Sequence, residues 1–123
     1  MEEKYLICED SLEGIFTGIY DAYALQEGHE HVHIQIGEEE NLRLFAHYMH
    51  ISPDPVKTDK VAEMLKKRLG ENAYHALCYA AASCHMDKGE AVYKTVVDAL
   101  TAGSGRRVME NLRNYGRRRH IAR

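Results

Sequence analysis

The chain has 123 residues, of which 45% are hydrophobic and 28% are charged, a balance that fits one domain with a single modest core. It has no apolar run of about 18 residues that would cross a membrane, and its acidic start lacks the apolar segment of a secretory signal. We therefore expect a single domain, residues 1–123, located in the cytoplasm.

The charges are unevenly distributed along the chain. The formal net charge is −3, but residues 1–105 carry −9, whereas residues 106–123 carry +6 from seven arginines and one glutamate. This asymmetry is typical of chains that contact nucleic acid or another anionic partner, and equally of a basic helix that lies against an acidic body.

The three cysteines, Cys8, Cys78 and Cys84, are an odd number without the spacing of a disulfide framework. We expect free thiols in a reducing compartment.

The strongest pattern lies in residues 9–25, which follow a short apolar run, residues 4–8, that predicts a buried strand. Ser11 occupies the N-cap position of a helix, where its hydroxyl would accept a backbone hydrogen bond. One face of this helix is apolar, with the 3.6-residue period of an element that packs on a core. Its residues are Leu12, Ile15, Phe16, Ile19, Ala22 and Tyr23.

The opposite face of this helix carries Gly14, Gly18 and Asp21. Two glycines inside a helix cost about 1–2 kcal/mol relative to alanine. We therefore expect another element to approach this face closely, either the following chain or a segment beyond Arg123. A tolerated, solvent-exposed glycine face is the alternative.

Two further stretches predict strands. Residues 31–36 alternate between polar and apolar side chains, and residues 47–52 precede Pro53 and Pro55, which end a strand. Gly28 is the expected end of the opening helix. Turns are expected over residues 37–41 and 42–46.

Four more helices are predicted after these strands. Asp54 and Pro55 suit the N-cap and first position of the second helix, which Gly70 ends, and residues 72–85 predict an alanine-rich third helix. Asp87 and Glu90 have the spacing of a capping box for a fourth helix, which ends near residues 102–105. A basic fifth helix is expected over residues 106–123.

This order of elements predicts an α+β fold, with a small, mostly antiparallel sheet of about three strands packed with four to five helices. A parallel, doubly wound sheet is not expected, because the chain offers too few alternating β-α units.

The segment YLICEDSLEGIFTGIYDAY, residues 5–23, resembles the start of a bacterial family described only as "probable DNA metabolism protein". This is a domain of unknown function that occurs alone or fused to a uracil-DNA glycosylase-like domain. The residues that match its motif are Asp10, Ser11, Gly14, Asp21, Ala22 and Tyr23, while Gly18 replaces an alanine. Weaker similarity involves Leu44, Phe45, Pro53, Asp54, Lys57, Lys60, Val61 and Ser83.

The resemblance implies a role in DNA repair or modification beside a radical SAM protein, an iron–sulfur enzyme that uses S-adenosylmethionine. Family members continue past the point that corresponds to Arg123, so we expect an N-terminal piece or a short member. The family's own activity is not established, so no catalytic residue transfers. Asp10, Ser11, Gly14, Gly18, Asp21 and Tyr23 are a candidate interface.

The histidines suggest a metal hypothesis. His31 and His33 would share a strand face about 6.5 Å apart, close to His29. We favour a solvated polar strand face instead. Cys78, Cys84 and His85 cannot grip one metal, because positions i and i+7 of a helix lie about 10.5 Å apart along its axis. We expect no metal and no cofactor.

The basic end suggests contact with DNA. Guanidinium groups suit phosphate because their planar donors form paired hydrogen bonds. A helix docked on the acidic body is the alternative. The candidate nucleic-acid-binding residues are Arg106, Arg113, Arg117, Arg118, Arg119 and Arg123.

No motif predicts catalysis, since the chain lacks a nucleophile elbow, a P-loop, the radical SAM cysteine motif and the zinc-deaminase signature. The predicted function is an accessory module in DNA metabolism or repair that binds a protein partner of radical SAM type, with DNA as a further candidate ligand. The alternative is the N-terminal part of a catalytic domain that acts on DNA bases and needs a missing C-terminal half.

Overall fold

The computed structural model describes residues 2–37, 46–83 and 87–121, and describes side chains up to Arg113. Most of the predicted turns, residues 37–41 and 42–46, lies outside this part of the chain, and Ala46 belongs to a strand. In sequence order the elements are β1 (Glu3–Cys8), α1 (Leu12–Ala24), a 3-10 turn (His29–His31), β2 (Val32–Ile36), β3 (Ala46–His50), α2 (Pro55–Leu69), α3 (Glu71–Ala81), α4 (Lys88–Ala102) and α5 (Arg106–Ile121).

The three strands form one sheet in the order β2-β1-β3, and both pairings are parallel. Leu6 in the central strand lies opposite Ile34 on one side and Met49 on the other. The expected mostly antiparallel sheet is therefore wrong. The helix α1 returns the chain from the end of β1 to the level of its start, so β2 begins beside the start of β1 and runs in the same direction.

The two faces of the sheet differ in chemistry because successive side chains alternate between them. Leu6, Cys8, Val32 and Ile34 are buried and belong to the same core cluster as the apolar residues of the helices. On the other face the Tyr5 ring stacks between His33 and Tyr48, with ring centroids 4.7 and 5.3 Å apart. The main core therefore lies between one face of the sheet and the helices.

The glycines of α1 lie on its buried side, which corrects the expectation that they face away from the apolar stripe. A Cβ atom on Gly14 would collide with the backbone oxygen of Glu9, and one on Gly18 would collide with the sulfur of Cys8. The predicted close approach is confirmed, but the approaching element is the preceding strand β1 and the turn after it.

Several helix ends agree with the sequence. Ser11 caps α1 by accepting a hydrogen bond from the Gly14 amide at 2.9 Å, as predicted. Asp54 caps α2 through the amides of Val56 at 2.9 Å and Lys57 at 3.3 Å. At the C-terminal end of α4, Gly103 takes the left-handed conformation, with φ 68°, which lets the helix end sharply.

Several expected boundaries differ from the structure, among them that of β3, which was expected over residues 47–52 and is Ala46–His50. The helix α1 ends at Ala24, not at Gly28, and Gln26 takes the positive φ of 54° that turns the chain. His31 belongs to the 3-10 turn instead of β2. The helix α3 ends at Ala81, and residues 84–86 of the predicted third helix lie outside the described part of the chain. Among the described residues, no helix has the length and apolarity that a membrane crossing needs.

Because α1 packs so closely against β1, we expect Gly18→Ala to lower the free energy of unfolding by about 1–3 kcal/mol. The new methyl group must displace the Cys8 sulfur. At a solvent-facing helix position the same change would raise it by up to about 1 kcal/mol. Chemical denaturation monitored by circular dichroism measures the difference.

Cys8→Ala provides the matched control, because it removes the sulfur that the new methyl group would meet. The double variant should lose clearly less stability than the sum of the two single variants. Additive losses, or a Gly18→Ala protein that is more stable than the wild type, would contradict the contact.

Candidate functional site

The residues of the family-like motif serve mainly to hold α1 in place. Asp21 binds the Lys57 ammonium at 2.8 Å, which ties α1 to α2 and raises the pKa of that lysine. The Tyr23 ring lies against the His29 ring, with centroids 4.5 Å apart, and burial raises the pKa of its hydroxyl. Together with the Ser11 cap and the two seated glycines, these contacts have structural roles.

Asp10 also has a structural role, because it pairs with a buried lysine from a distant part of the chain. The Lys88 side chain is only 7% exposed and pairs with Asp10 at 2.6 Å. Its ammonium also donates to the Ser83 carbonyl at 2.7 Å. A cation in the first turn of a helix opposes the helix dipole, so these acceptors offset an unfavourable position. The contacts join the start of α1, the end of α3 and the start of α4.

The predicted basic helix is present as α5, but its arginines do not act as one set. Arg106 and Arg113 are exposed. Arg107 forms two hydrogen bonds of 3.0 Å with Asp98 on α4, which lowers the pKa of that carboxyl. One arginine therefore docks on the acidic body, while two others remain exposed. The side chains of Arg117, Arg118 and Arg119, and all of Arg123, lie outside the described region.

The predicted solvated histidine face is instead a network of ion pairs and hydrogen bonds. His33 lies between two carboxylates, with its Nε2 atom 2.8 Å from Glu3 and its Nδ1 atom 2.6 Å from Glu90. His31 reaches the other oxygen of Glu3 at 2.7 Å. Hydrogen bonds from the two imidazoles lower the pKa of the Glu3 carboxyl. To donate both of its hydrogen bonds, the His33 ring must carry a proton on each nitrogen.

Glu90 also protects the edge of the sheet. Its second oxygen accepts a hydrogen bond of 3.0 Å from the backbone amide of Ile34 in β2. Among the described strands, β2 lies at an edge of the sheet and pairs with β1. An unpaired edge amide would otherwise be open to another strand. The predicted capping box is therefore wrong, because Asp87 makes no side-chain cap bond and Glu90 turns toward β2.

His29 ties the 3-10 turn to α4 through a contact with a buried tyrosine. Its Nδ1 atom lies 2.6 Å from the hydroxyl of Tyr93, which is fully buried, and burial raises the pKa of that hydroxyl. Burial also lowers the pKa of His29. A protonated phenol can donate to a neutral imidazole, so the contact needs no charge. Lys94 holds the same turn through the carbonyls of His29 and Val32.

The histidines and cysteines were the candidate metal ligands. In the residues that the structure describes, no three His, Cys, Asp or Glu side chains are placed to hold a metal ion. Cys8 and Cys78 carry free thiols, and burial raises the pKa of Cys8 to about 12, so this thiol stays protonated at neutral pH. Cys84 lies outside the described region.

An apolar groove of about 710 Å³ runs between α3, α4 and α5, and we call it the helical groove. Tyr79 on α3 is 85% exposed, and Met109 on α5 is 46% exposed. Several alanines and Lys88 also line the helical groove. The full set is Asn72, His75, Ala76, Tyr79, Ala80, Ser83, Lys88, Ala91, Val92, Met109 and Leu112.

Sequence reasoning missed the helical groove. It predicted α3 only as an alanine-rich helix and α5 only as a basic helix. The available signal was Tyr79, a large aromatic residue away from the apolar side of α3. Its exposure becomes informative only when α4 and α5 are known to lie beside it.

Neither a protein-family model, nor a curated protein, nor a solved structure matches this chain. The surfaces and contacts described above therefore provide the structural basis for a functional proposal.

The role of Glu90 at the sheet edge predicts that Glu90→Ala lowers the free energy of unfolding by about 1–2 kcal/mol, because a half-buried histidine and an edge amide lose their partner. Hydrogen exchange at the Ile34 amide should accelerate more than at amides of the central strand. Glu63→Ala on the exposed side of α2 is the matched control. Unchanged exchange at Ile34 would show that the carboxylate does not protect the edge.

Proposed function

We propose that this chain is an accessory module of DNA metabolism that acts by binding a protein partner. The observation that carries the proposal is the helical groove, which leaves Tyr79 and Met109 exposed beside small apolar residues. Exposed apolar patches of this kind mark interaction surfaces, and aromatic residues and methionine are enriched in interface cores. The resemblance of residues 5–23 supplies the setting in DNA metabolism and a radical SAM protein as the partner.

The chemistry of the described residues favours binding over catalysis. The buried ionisable groups that are chemically suited to act as acid, base or nucleophile are engaged within the fold. Tyr93 contacts His29, Lys88 contacts Asp10, and the Cys8 thiol is enclosed by the core. A catalytic group needs access to substrate and a pKa near the working pH, whereas burial raises the pKa values of Tyr93 and Cys8.

A second candidate function is contact with DNA through α5. It is favoured by the exposure of Arg106 and Arg113 on a helix whose stretch of the sequence, residues 106–123, carries a charge of +6. Their seven-residue spacing puts both arginines on one side of the helix. Phosphates could therefore meet both guanidinium groups from the same direction.

The accessory role predicts that the tagged chain, expressed in its native cell, retains a radical SAM protein after nuclease treatment. Mass spectrometry identifies the retained protein, and reciprocal capture with a tag on that protein checks the pair. The variant Tyr79→Ala with Met109→Ala should lose about tenfold or more in affinity for the purified partner, because it removes two exposed apolar side chains of the groove.

The matched control is Val56→Ala, which truncates an exposed apolar side chain on α2. It should retain the partner with unchanged affinity. Capture of no radical SAM protein after nuclease treatment would overturn the proposed function.

The second candidate predicts that a short DNA duplex binds at low salt and that binding weakens as salt rises. Arg106→Ala with Arg113→Ala should lower the slope of log affinity against log salt by about one unit for each lost phosphate contact. Replacement of Arg117, Arg118 and Arg119 by Ala tests the rest of the helix. Lys60→Ala with Lys67→Ala on α2 makes the same change in net charge. A DNA site on α5 would be ruled out if the arginine pair and the lysine pair lowered the salt slope equally. Absence of DNA binding at low salt would also rule it out.

A further inference from the structure

We propose that the helical groove receives an amphipathic helix of the protein partner, with apolar residues in the groove and acidic residues beside α5. The inference rests on the proposed function and adds the secondary structure and the charge of the segment that is bound. It follows from the shape of the groove, from the charges at its α5 edge and from the consequences of pairing two copies of this surface.

The shape of the groove suits a helix. Ala76, Ala80 and Ala91 have small side chains that leave a channel between α3, α4 and α5. Tyr79 on α3 and Met109 on α5 are exposed and line this channel from two different helices. A partner helix can cover both side chains while its own apolar stripe contacts the alanines. Helix-in-groove recognition uses residues spaced at i, i+3 or i+4, and i+7.

The positive charges along α5 require negative charge on the partner helix. Arg106, Met109 and Arg113 are spaced by three and four residues, so they share one face of α5, and all three are exposed. The exposed apolar contact is therefore flanked by a cation on each side. Arg107 is paired with Asp98 and does not alter this face. Glutamate or aspartate on the flank of the partner helix would meet the two exposed guanidinium groups.

The buried cation of the groove does not require a ligand of its own. Lys88 has a carboxylate partner in Asp10 and a carbonyl partner in Ser83. The complementary charge on the incoming segment is therefore needed at the α5 edge and not at the groove wall. This separation of an apolar channel from a basic edge matches an amphipathic helix better than a small anion.

The same features argue against the two other occupants. A DNA backbone would satisfy the arginines but leave Tyr79 and Met109 without apolar contacts. A second copy of the chain, docked through the same groove, would bring two basic α5 helices together, and like charges at an interface disfavour association. An acidic helix satisfies the apolar walls and the arginines at once.

The test measures binding of two labelled helical peptides to the full chain by fluorescence anisotropy. Both peptides have about 18 residues and the same leucine stripe, and they differ only in a flank of glutamates or of lysines. We expect the glutamate peptide to bind at least about tenfold more tightly at low salt. Tyr79→Ala with Met109→Ala should weaken it by about tenfold or more. Arg113→Glu should remove most of the preference between the two peptides, because it leaves one cation and one anion beside Met109.

Lys67→Glu on the exposed side of α2 is the control for Arg113→Glu, because it makes the same charge change away from the groove. It should leave the preference intact. Equal binding of the two peptides, or binding unaffected by Tyr79→Ala with Met109→Ala, would overturn the inference. Displacement of the peptide by a DNA duplex would overturn it in favour of nucleic acid, and self-association that this double variant abolishes would overturn it in favour of a second copy.

The two proposals fail in different ways. Partner capture that survives Tyr79→Ala with Met109→Ala leaves the accessory role standing and removes the helical groove as the binding surface. Peptide binding with the expected charge preference, but without capture of a radical SAM protein, supports the groove assignment and removes the accessory role.

Discussion

Close contact between α1 and the central strand β1 determines how the rest of the chain can pack. Gly14 and Gly18 lie where any side chain would collide with Glu9 or Cys8, so the helix rests almost directly on the strand. From this position α1 holds α2 through Asp21 and Lys57, and it presents Phe16 and Ile19 to the core shared with the other helices. The residues that identify the family-like motif are largely those that this packing requires.

A second set of contacts joins the sheet to α4 through polar groups. Glu90 crosses to the exposed edge of β2, Lys94 binds carbonyls before and at the start of that strand, and Tyr93 reaches His29. Gly89, in the first turn of α4, lies beside Ile34 and Ile36, where a Cβ atom would come within 3.1 to 3.2 Å of their side chains. The position of α4 relative to the sheet therefore combines a close apolar contact with directional hydrogen bonds. The helical groove lies on the side of α4 that meets α3 and α5.

Local signals in the sequence predicted the elements better than their arrangement. Ser11, Asp54 and Gly103 act within a few residues of their own helix ends, so their roles could be inferred from spacing alone. The direction of β2 depends on where α1 returns the chain, and hydrophobic alternation is the same in parallel and antiparallel strands. The sequence analysis therefore predicted three strands with the wrong relative orientation.

The polar contacts show the same limit more sharply. Glu90 has the spacing of a capping residue, yet its partners His33 and Ile34 lie 57 and 56 residues earlier in the chain. The pairing of Lys88 with Asp10 and the groove beside Tyr79 also depend on segments that only the tertiary fold brings together. No local propensity encodes such contacts. These long-range contacts are the reason why the candidate site was harder to predict from sequence than the helices were.

The central position of β1 has a consequence for the order of folding. Both strands that pair with β1 follow it in the chain, and its pairing with β3 joins Glu3 to Ala46. A nascent chain can form α1 early, but the sheet cannot be complete until the third strand has been synthesised. Pairings between distant segments slow folding because the intervening chain must be ordered first. The buried face of β1 also packs in one core cluster with residues of α2, α3, α4 and α5, so it is fully covered only after these later helices have been synthesised.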